Sequence, residues 1–290
     1  MDNTFTEKIC KFGLTLYKKL FKPLLKKNLL FKNSLKNEEC YIIGNGQSLK
    51  YFDLKKLNKK KTISINYLHI HNDFNCLNIY LHIFLHPYIF WPFWKIRLDN
   101  NTNNPRKIYF NKTNQFLRDS CLFKKNYNLI TSIANFPFLL NRKNTFYLHN
   151  FGNSFDFRKI DLIENFSFMQ NSLFASIVIA YYCGCRKITL IGMDYLFEKP
   201  ITGHFYEYQR QLICKLNEKE KMQNELFFNF FNKIISIRLV SFDNKKSNYI
   251  KVVNYSDLTN DKEIYKENYV LVSKDNLEGM KSIREGYIIN

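Results

Sequence analysis

The chain contains few residues that bend a backbone and little negative charge. Its 290 residues include 9 Gly and 6 Pro, and 25 Asp and Glu stand against 44 Lys and Arg. Hydrophobic residues make up 46% of the chain, which is ample for a core and excludes a disordered chain. The length suits one large domain with additions, or two small ones.

Paired cysteines and long apolar runs are also missing. None of the seven Cys belongs to a Cys-x-x-Cys pair, and several lie in apolar stretches. This pattern argues against a disulfide framework or a zinc site and favours reduced thiols in a cytoplasmic protein. The first residues lack the continuous apolar stretch of a secretory signal. The most apolar window, 79–96, is interrupted by His and Pro, so we expect a buried strand and an aromatic loop there rather than a membrane-spanning helix.

Several nucleotide and metal motifs are absent. The chain has no Gly-x-x-x-x-Gly-Lys-Ser/Thr loop and no Asp-x-Asp pair, which argues against a P-loop nucleoside triphosphatase and against metal-assisted sugar transfer. A dinucleotide-binding turn would carry a third glycine where Leu49 stands, and an acidic residue at the end of the second strand, where Asn66 stands. We therefore expect neither NAD nor a bound metal ion.

Positive charge, by contrast, is abundant. A net charge of +19 predicts an anionic partner, such as nucleic acid, anionic lipid or a phosphorylated sugar donor. In residues 1–37, Phe and Leu recur at helical spacing between lysines. We interpret 1–37 as a basic amphipathic extension to a domain over 38–290. The extension either lies on an anionic membrane surface, as in a peripheral protein of the inner membrane, or packs on its own domain with a solvated basic face.

The stretch 40–49, Cys-Tyr-Ile-Ile-Gly-Asn-Gly-Gln-Ser-Leu, predicts a strand, a glycine turn and the start of a helix. Gly44 and Gly46 would let the backbone approach a ligand closely, and Ser48 would cap the helix. The first N–H groups of that helix would suit a phosphate. The stretch therefore has the pattern of a nucleotide-phosphate cradle and equally that of an ordinary strand-to-helix turn.

Apolar strands alternate with helices along the chain, which predicts an α/β fold with a Rossmann-like, mainly parallel sheet. A second strong unit begins at Asn171 and Ser172, continues as an apolar helix that Gly184 ends, and finishes with a buried strand before Asp194. The predicted strands are 40–43, 62–66, 79–85, 107–110, 146–148, 187–192, 237–242, 249–253 and 269–272, and the predicted helices are 47–57, 173–183 and 206–235.

His204 follows the carboxyl end of the predicted strand 187–192, at the edge where α/β sheets bind ligands. A neutral histidine at that edge could remove a proton from an acceptor hydroxyl near neutral pH. The simpler interpretation is a surface histidine.

Two stretches together resemble the bacterial sialyltransferases of glycosyltransferase family 42. They are Ile43-Gly44-Asn45-Gly46-Gln47-Ser48-Leu49-Lys50 and the unit from 170 to 194. Those enzymes open with a strand and Gly-Asn-Gly-Pro-Ser-Leu-Lys, and later carry Thr-Ser-Gly, an apolar helix, a glycine and a strand ending in Gly-Ile-Asp. MptE-like and flagellin-modification proteins share a similar start and are wider kin.

The resemblance implies a GT-A variant of the Rossmann-like fold that works as a metal-independent, inverting transferase. It would move sialic acid or a related nonulosonic acid from a CMP-sugar to a hydroxyl of a bacterial surface glycan, such as lipooligosaccharide or capsule, with no cofactor beyond that donor. His204, preceded by Gly203, matches the Gly-His that carries the family's catalytic base. The resemblance places the donor against Gly44, Asn45, Gly46, Ser48, Asn66, His86, Asn171, Ser172 and Asp194.

The chain departs from the family in three places. Gln47 replaces a proline, and His86 stands in place of a family Asn that contacts the donor. The family places a longer lid between its Asp and His, with two tyrosines that steady the leaving phosphate. Here nine residues separate Asp194 from His204, and the candidate tyrosines are Tyr195, Tyr206 and Tyr208, in a lid region near 195–225.

Three alternatives stay open at this point. The chain could use another nucleotide sugar, or bind a nucleotide without catalysing transfer, or be a basic nucleic-acid-binding protein. The lysines concentrate near the N-terminus instead of interleaving with exposed aromatic residues, so we expect no nucleic-acid partner. The acceptor, including whether it is lipid-linked, and any homo-oligomer are left open.

Overall fold

An eight-stranded parallel sheet organises the computed structural model, which confirms the predicted α/β class. The structure describes residues 19–87, 89–90, 105–120, 127–149, 160–164, 166–169, 171–196, 198–200, 203–207, 213–242 and 246–288. The strands are β1 (Glu39–Ile43), β2 (Lys61–Ile65), β3 (Asn78–Phe84), β4 (Asn128–Ser132), β5 (Thr145–Leu148), β6 (Lys187–Ile191), β7 (Glu198–Pro200), β8 (Ile213–Lys215), β9 (Ser236–Ser241) and β10 (Lys251–Asn254). All but β7 and β8, which form a separate antiparallel pair, belong to the large sheet.

The helices cover both faces of this sheet. They are α1 (19–26 in the described part), α2 (Pro105–Asp119), α3 (Ser172–Tyr182), α4 (Glu218–Phe231), α5 (Tyr255–Thr259), α6 (Asn268–Leu271) and α7 (Lys274–Ile288). Helices α3 and α4 pack on the face that carries Ile42 and Leu190, while α2 and α7 belong to the cluster that contains Tyr41 and Ile43. The central strands are therefore buried on both sides, which explains their nearly continuous apolar sequences.

The strand order β10-β9-β6-β1-β2-β3-β4-β5 indicates the edge of the sheet at which a ligand is expected. From β1 the chain adds strands in one direction as far as β5, and β6 then pairs with the other side of β1. The order thus reverses between β1 and β6. Ligands of open α/β sheets bind outside the carboxyl ends of the strands at such a reversal.

Helix α3 has clear start and stop signals in the sequence. The side chain of Asn171 accepts hydrogen bonds from the backbone N–H groups of Leu173 and Phe174, at 3.0 and 3.2 Å. At the other end, Gly184 has φ +95°, and the N–H of Cys185 donates to the carbonyl of Ala180. This left-handed C-terminal motif confirms the predicted role of Gly184. Because α3 leads back to β6, its N-terminus lies at the carboxyl edge of the sheet.

The described part of the basic extension is packed against the domain. Leu25, Phe31 and Leu35 are buried in the two core clusters, and the buried amide of Asn28 donates to the carbonyls of Tyr147 and Leu162. Residues 1–18 lie outside the described residues. Removing 1–37 would therefore remove core side chains as well as charge.

Some predicted elements were wrong. The range 107–110 lies inside α2, which begins at a proline suited to a first helical position, and 269–272 is mostly the short helix α6. The range 47–57 holds two 3₁₀ turns, Gln47–Tyr51 and Leu54–Leu57, in place of one helix. Within the described part of the predicted helix 206–235, only α4 is helical, and Ile213–Lys215 is strand β8 instead. Helix α4 starts at a capping box formed by Asn217 and Glu220. Strand β4 and helix α7 were missed. Most of the expected aromatic loop in 79–96 lies outside the described residues.

Candidate functional site

The turns that follow β1 and β6 pack directly on each other. The N–H of Gly44 donates to Ile191 at 2.9 Å, and that of Gly46 donates to Gly192 at 2.8 Å. A Cβ atom at Gly44 would lie 2.6 Å from the carbonyl oxygen of Gly192, and one at Gly46 would meet the same oxygen at 2.8 Å as well as the Asp194 carboxylate. The glycines of the predicted cradle therefore serve a close contact between two turns, which a side chain would prevent.

Asp194 takes the position that the prediction gave to a phosphate. Its Oδ2 accepts a hydrogen bond of 2.8 Å from the N–H of Ser48. Ser48 does not cap a helix as predicted, because the N-cap position is Gly46 and the following 3₁₀ turn has only five residues. Within the described part of the chain, Ser48 Oγ and Asn45 Oδ1 are buried without a hydrogen-bond partner. These two atoms are unsatisfied hydrogen-bonding groups at the junction of the two turns.

The segment 203–207 lies across the glycine turn. Gly46 and His204 form an isolated antiparallel bridge, and the N–H of Phe205 donates to the carbonyl of Asn45 at 3.0 Å. Phe205 is fully buried and anchors the segment. The candidate base and the candidate cradle are thus parts of one arrangement at the point where the strand order reverses.

Two tyrosines contact His204. The hydroxyl of Tyr195 lies 3.2 Å from His204 Nε2, and the ring of Tyr206 is nearly parallel to the imidazole at 5.0 Å between centroids. Tyr206 also meets Tyr67, the neighbour of Asn66, edge to face at 6.0 Å. Tyr208 lies outside the described residues. The structure therefore brings two of the three candidate tyrosines to the candidate base.

Glu207 is the site residue that sequence reasoning missed. Its Oε1 lies 3.1 Å from His204 Nδ1, and its Oε2 accepts from the N–H of His204 at 3.0 Å. The buried amine of Lys50 donates to the backbone carbonyl of Glu207 at 2.8 Å. The only local signal was an acidic residue three positions after a histidine, a spacing that is common in any polar segment.

The other candidate residues lie along the same carboxyl edge. Asn66 directly follows β2 with φ +50°, a left-handed conformation that asparagine tolerates better than most residues. His86 follows β3 and contacts the carbonyl of Pro87 through Nδ1. Asn171 and Ser172 begin α3, where Asn171 serves as the N-cap. Among the described contacts, none joins His86, Asn171 or Ser172 to His204.

An open groove of about 480 Å³ lies at the opposite edge of the sheet. It is lined at the amino ends of β6, β9 and β10 by residues that include Arg186, Lys233 and Lys251. The reversal of strand order places the candidate site at the carboxyl edge, so this groove is separate from it.

In the described ranges, no group of three or more His, Cys, Asp or Glu side chains is arranged to hold a metal ion. No described helix combines the length and the apolar character that crossing a membrane requires.

Comparisons with known proteins give a distant structural likeness. No family model matches the chain, and no curated protein matches it. Two solved structures of the sialyltransferase CstII from Campylobacter jejuni are similar to it. The one in complex with the substrate analogue cytidine-5′-monophosphate has a TM-score of 0.44 and 13% identity, over 85% of this chain and 98% of that chain. The one in complex with CMP-3FNeuAc has a TM-score of 0.43 and 14% identity, over 84% of this chain and 99% of that chain.

Proposed function

We propose that this protein is an inverting, metal-independent glycosyltransferase that moves sialic acid or a related nonulosonic acid from a CMP-sugar to a glycan hydroxyl. The observation that carries the proposal is His204, which is paired with Glu207 and held on the Gly44-Asn45-Gly46 turn where the strand order reverses. The sequence resemblance supports the CMP-sugar and the role of the histidine.

The proposed reaction uses His204 Nε2 as a general base. The acceptor hydroxyl gives its proton to Nε2, and its oxygen attacks the anomeric carbon of the donor from the side opposite the phosphate. The bond between the anomeric carbon and the phosphate oxygen breaks, and CMP leaves with the electron pair. The bound proton then passes to solvent. A general base of this kind contributes about 10²–10⁴-fold in rate.

Hydroxyl groups beside His204 would stabilise the leaving phosphate. Tyr195 and Tyr206 lie next to the imidazole, and Tyr208 is a third candidate. Such donors stabilise the charge that develops in the transition state without a metal ion. Because the Asp194 carboxylate would repel a phosphate at the Ser48 N–H, we place the phosphate on the tyrosine side of the turn.

Two buried atoms without hydrogen-bond partners support the proposal that a nucleotide binds at the turn. Asn45 Oδ1 and Ser48 Oγ are buried and lack partners among the described residues, and a nucleoside could supply hydrogen bonds to them. Asn66, His86, Asn171 and Ser172 lie along the same edge and are proposed to contact the rest of the donor. Gly44 and Gly46 keep the turn close to its neighbour.

The acceptor is proposed to be a bacterial surface glycan linked to a lipid at an anionic inner membrane. Leu20 and Leu30 are 65% and 73% exposed beside exposed lysines. The ring of Phe21 meets Phe136, which follows β4, at 5.5 Å between centroids. This contact brings α1 to the carboxyl edge of the sheet, three strands from β1, which corresponds to roughly 15 Å at ~4.8 Å per strand. A glycan on a nearby lipid could reach the site across that distance.

The proposal is tested by nucleotide binding and product release. CMP and CMP-nonulosonates should raise the melting temperature, while UDP and GDP should not, because only the former combine a cytosine base with a single phosphate. A screen of CMP-nonulosonates against glycan acceptors should then show acceptor-dependent release of CMP. A response to UDP or GDP alone would contradict the proposed donor, and steeply salt-dependent DNA binding without a response to CMP would contradict the proposed class.

A further inference from the structure

We infer that Glu207 is a positioning residue that fixes His204 with Nε2 as its proton-accepting atom, and that Lys50 holds Glu207 in place for this task. The catalytic meaning of the inference rests on the proposed function. The geometry itself does not, because it concerns contacts within the chain.

Glu207 makes three hydrogen-bond contacts with His204. Its two carboxylate oxygens contact His204 Nδ1 at 3.1 Å and the His204 N–H at 3.0 Å, and its own N–H donates to the carbonyl of His204 at 3.0 Å. The Glu207 side chain is 11% exposed, whereas that of His204 is 32% exposed. The carboxylate is therefore held below an imidazole that solvent and substrate can reach.

This contact decides which nitrogen carries the proton. An ionised carboxylate only accepts hydrogen bonds, so Nδ1 must be the donor in its contact with Glu207. In a neutral imidazole, Nε2 is then the acceptor, and the Tyr195 hydroxyl 3.2 Å away donates to it. The arrangement leaves Nε2 ready to take a proton from an incoming hydroxyl that displaces the tyrosine.

Lys50 connects this pair to the rest of the fold. The residue is 3% exposed, and its amine donates to the backbone carbonyl of Glu207 at 2.8 Å. Its own carbonyl accepts from the N–H of Lys266 at 2.7 Å. Burial lowers the pKa of Lys50, partly offset by the charges of Glu267 and Glu207. Lys50, the last residue of the Gly-Asn-Gly-x-Ser-Leu-Lys stretch, thus fixes the loop that carries Glu207.

The first test reads the proton position directly and does not depend on activity. In protein labelled with ¹⁵N-histidine at about pH 8.5, where an ordinary histidine is neutral, NMR should show His204 with its proton on Nδ1. Comparison with the His204→Ala protein assigns the signal. In Glu207→Gln the two tautomers should mix, while Glu218→Gln, which changes an exposed glutamate, should leave the signal unchanged. A wild-type His204 with its proton on Nε2 would overturn the inference, whatever the variants do.

The second test separates positioning from folding. In Glu207→Gln, kcat should fall at least tenfold with little change in donor KM, since loss of the carboxylate that fixes a histidine's tautomer lowers kcat by up to about 10⁴-fold in serine proteases. Lys50→Met should also mix the two tautomers of His204. Lys262→Met, which changes an exposed lysine, should not. An unchanged kcat, or a lowered kcat with an unchanged tautomer, would overturn the positioning role. A wild-type protein with the expected tautomer and no transfer activity would refute the proposed function alone.

Discussion

At the scale of single residues, His204 and the glycine turn behave as one unit. The segment that carries His204 is bridged to Gly46, and buried Phe205 lies between Asn45 and His71. A change that moves the turn must therefore also move the imidazole. The fixed backbone below a partly exposed ring is the arrangement that general-base chemistry needs.

Replacing Gly46 by Ala tests this coupling. The added Cβ would lie 2.8 Å from the carbonyl of Gly192 and against the carboxylate of Asp194, so the two turns must separate. Overpacking of this kind costs about 1–3 kcal/mol. We expect the free energy of unfolding, measured in urea, to fall by that amount and transfer activity to fall with it.

Asn248→Ala is the control for the Gly46 variant, because Asn248 is exposed in the loop before β10. It should change neither stability nor activity. A Gly46→Ala protein as stable and as active as the wild type would show that the two turns do not depend on their close contact.

At the scale of elements, buried histidines join the segments beside the site. His71 follows the turn after β2, its Nδ1 accepts the N–H of Asp73, and it pairs with Val272 after α6. His82 lies within β3 with Nδ1 2.7 Å from the hydroxyl of Ser64. Burial, and next the charge of Lys266, lower the pKa of His71 to about 3, and burial lowers that of His82 well below its ordinary value. Both rings are neutral in the folded state.

Because these histidines have lowered pKa values, we expect the free energy of unfolding to fall in acid. An unfolded histidine titrates near 6.5 and the folded His71 near 3, so its contribution is complete above pH 6.5 and is lost as the pH falls towards 3. The slope is about 1.4 kcal/mol per pH unit for each such group. Urea unfolding at pH 7.5 and pH 5 should show this decrease, and His71→Asn, which keeps an acceptor for Asp73, should reduce it. An equal pH dependence in the variant would contradict the assignment.

The same scale shows what sequence could and could not predict. The central strands and α3 were predictable because the sequence marks them locally. The marks are continuous apolar runs, an Asn at the N-cap and a glycine at the C-terminal end of the helix. The range 107–110 is a short apolar run that fits strand or helix equally. It became helical in α2, which packs against α7 through Phe116 and Gly279. The capping box at Asn217 and Glu220 was readable and would have placed the start of α4 correctly.

The candidate site divides in the same way. His204, Asp194 and the glycine turn could be found because motif and position marked them. Contacts between distant parts of the chain could not be found, because Asp194 contacts Ser48 across 146 residues and Lys50 contacts Glu207 across 157. The sequence predicted that Gly44 and Gly46 let a ligand approach the backbone, whereas in the structure they allow close contact between two turns.

At the scale of the whole molecule, the charge of +19 is not spread evenly. No acidic residue occurs between Glu7 and Glu38, and in the described part of this stretch Lys19, Lys22, Lys26, Lys27, Lys32 and Lys36 are exposed. They accompany the exposed side chains of Leu20 and Leu30, while the opposite side of the stretch is buried. Apolar side chains next to cations are the pattern of a surface that lies on anionic lipid.

Substitution of the exposed side chains tests this surface without opening the core. Each lysine contributes about 1 kcal/mol near an anionic membrane, so Lys22→Gln, Lys26→Gln and Lys27→Gln together should weaken binding to phosphatidylserine vesicles roughly hundredfold. The matched triple variant Lys246→Gln, Lys251→Gln and Lys262→Gln carries the same loss of charge elsewhere. Equal sedimentation of the two triple variants with vesicles would contradict a membrane surface at α1.

His204 is proposed to be the general base of a CMP-sugar transferase. The most direct measurement is the rate of acceptor-dependent CMP release by the wild-type and His204→Ala proteins, with the same CMP-nonulosonate and glycan. The wild type should release CMP, and the variant should be slower by about 10²–10⁴-fold while its melting temperature changes little. Equal rates of CMP release in the two proteins would contradict the assignment of His204.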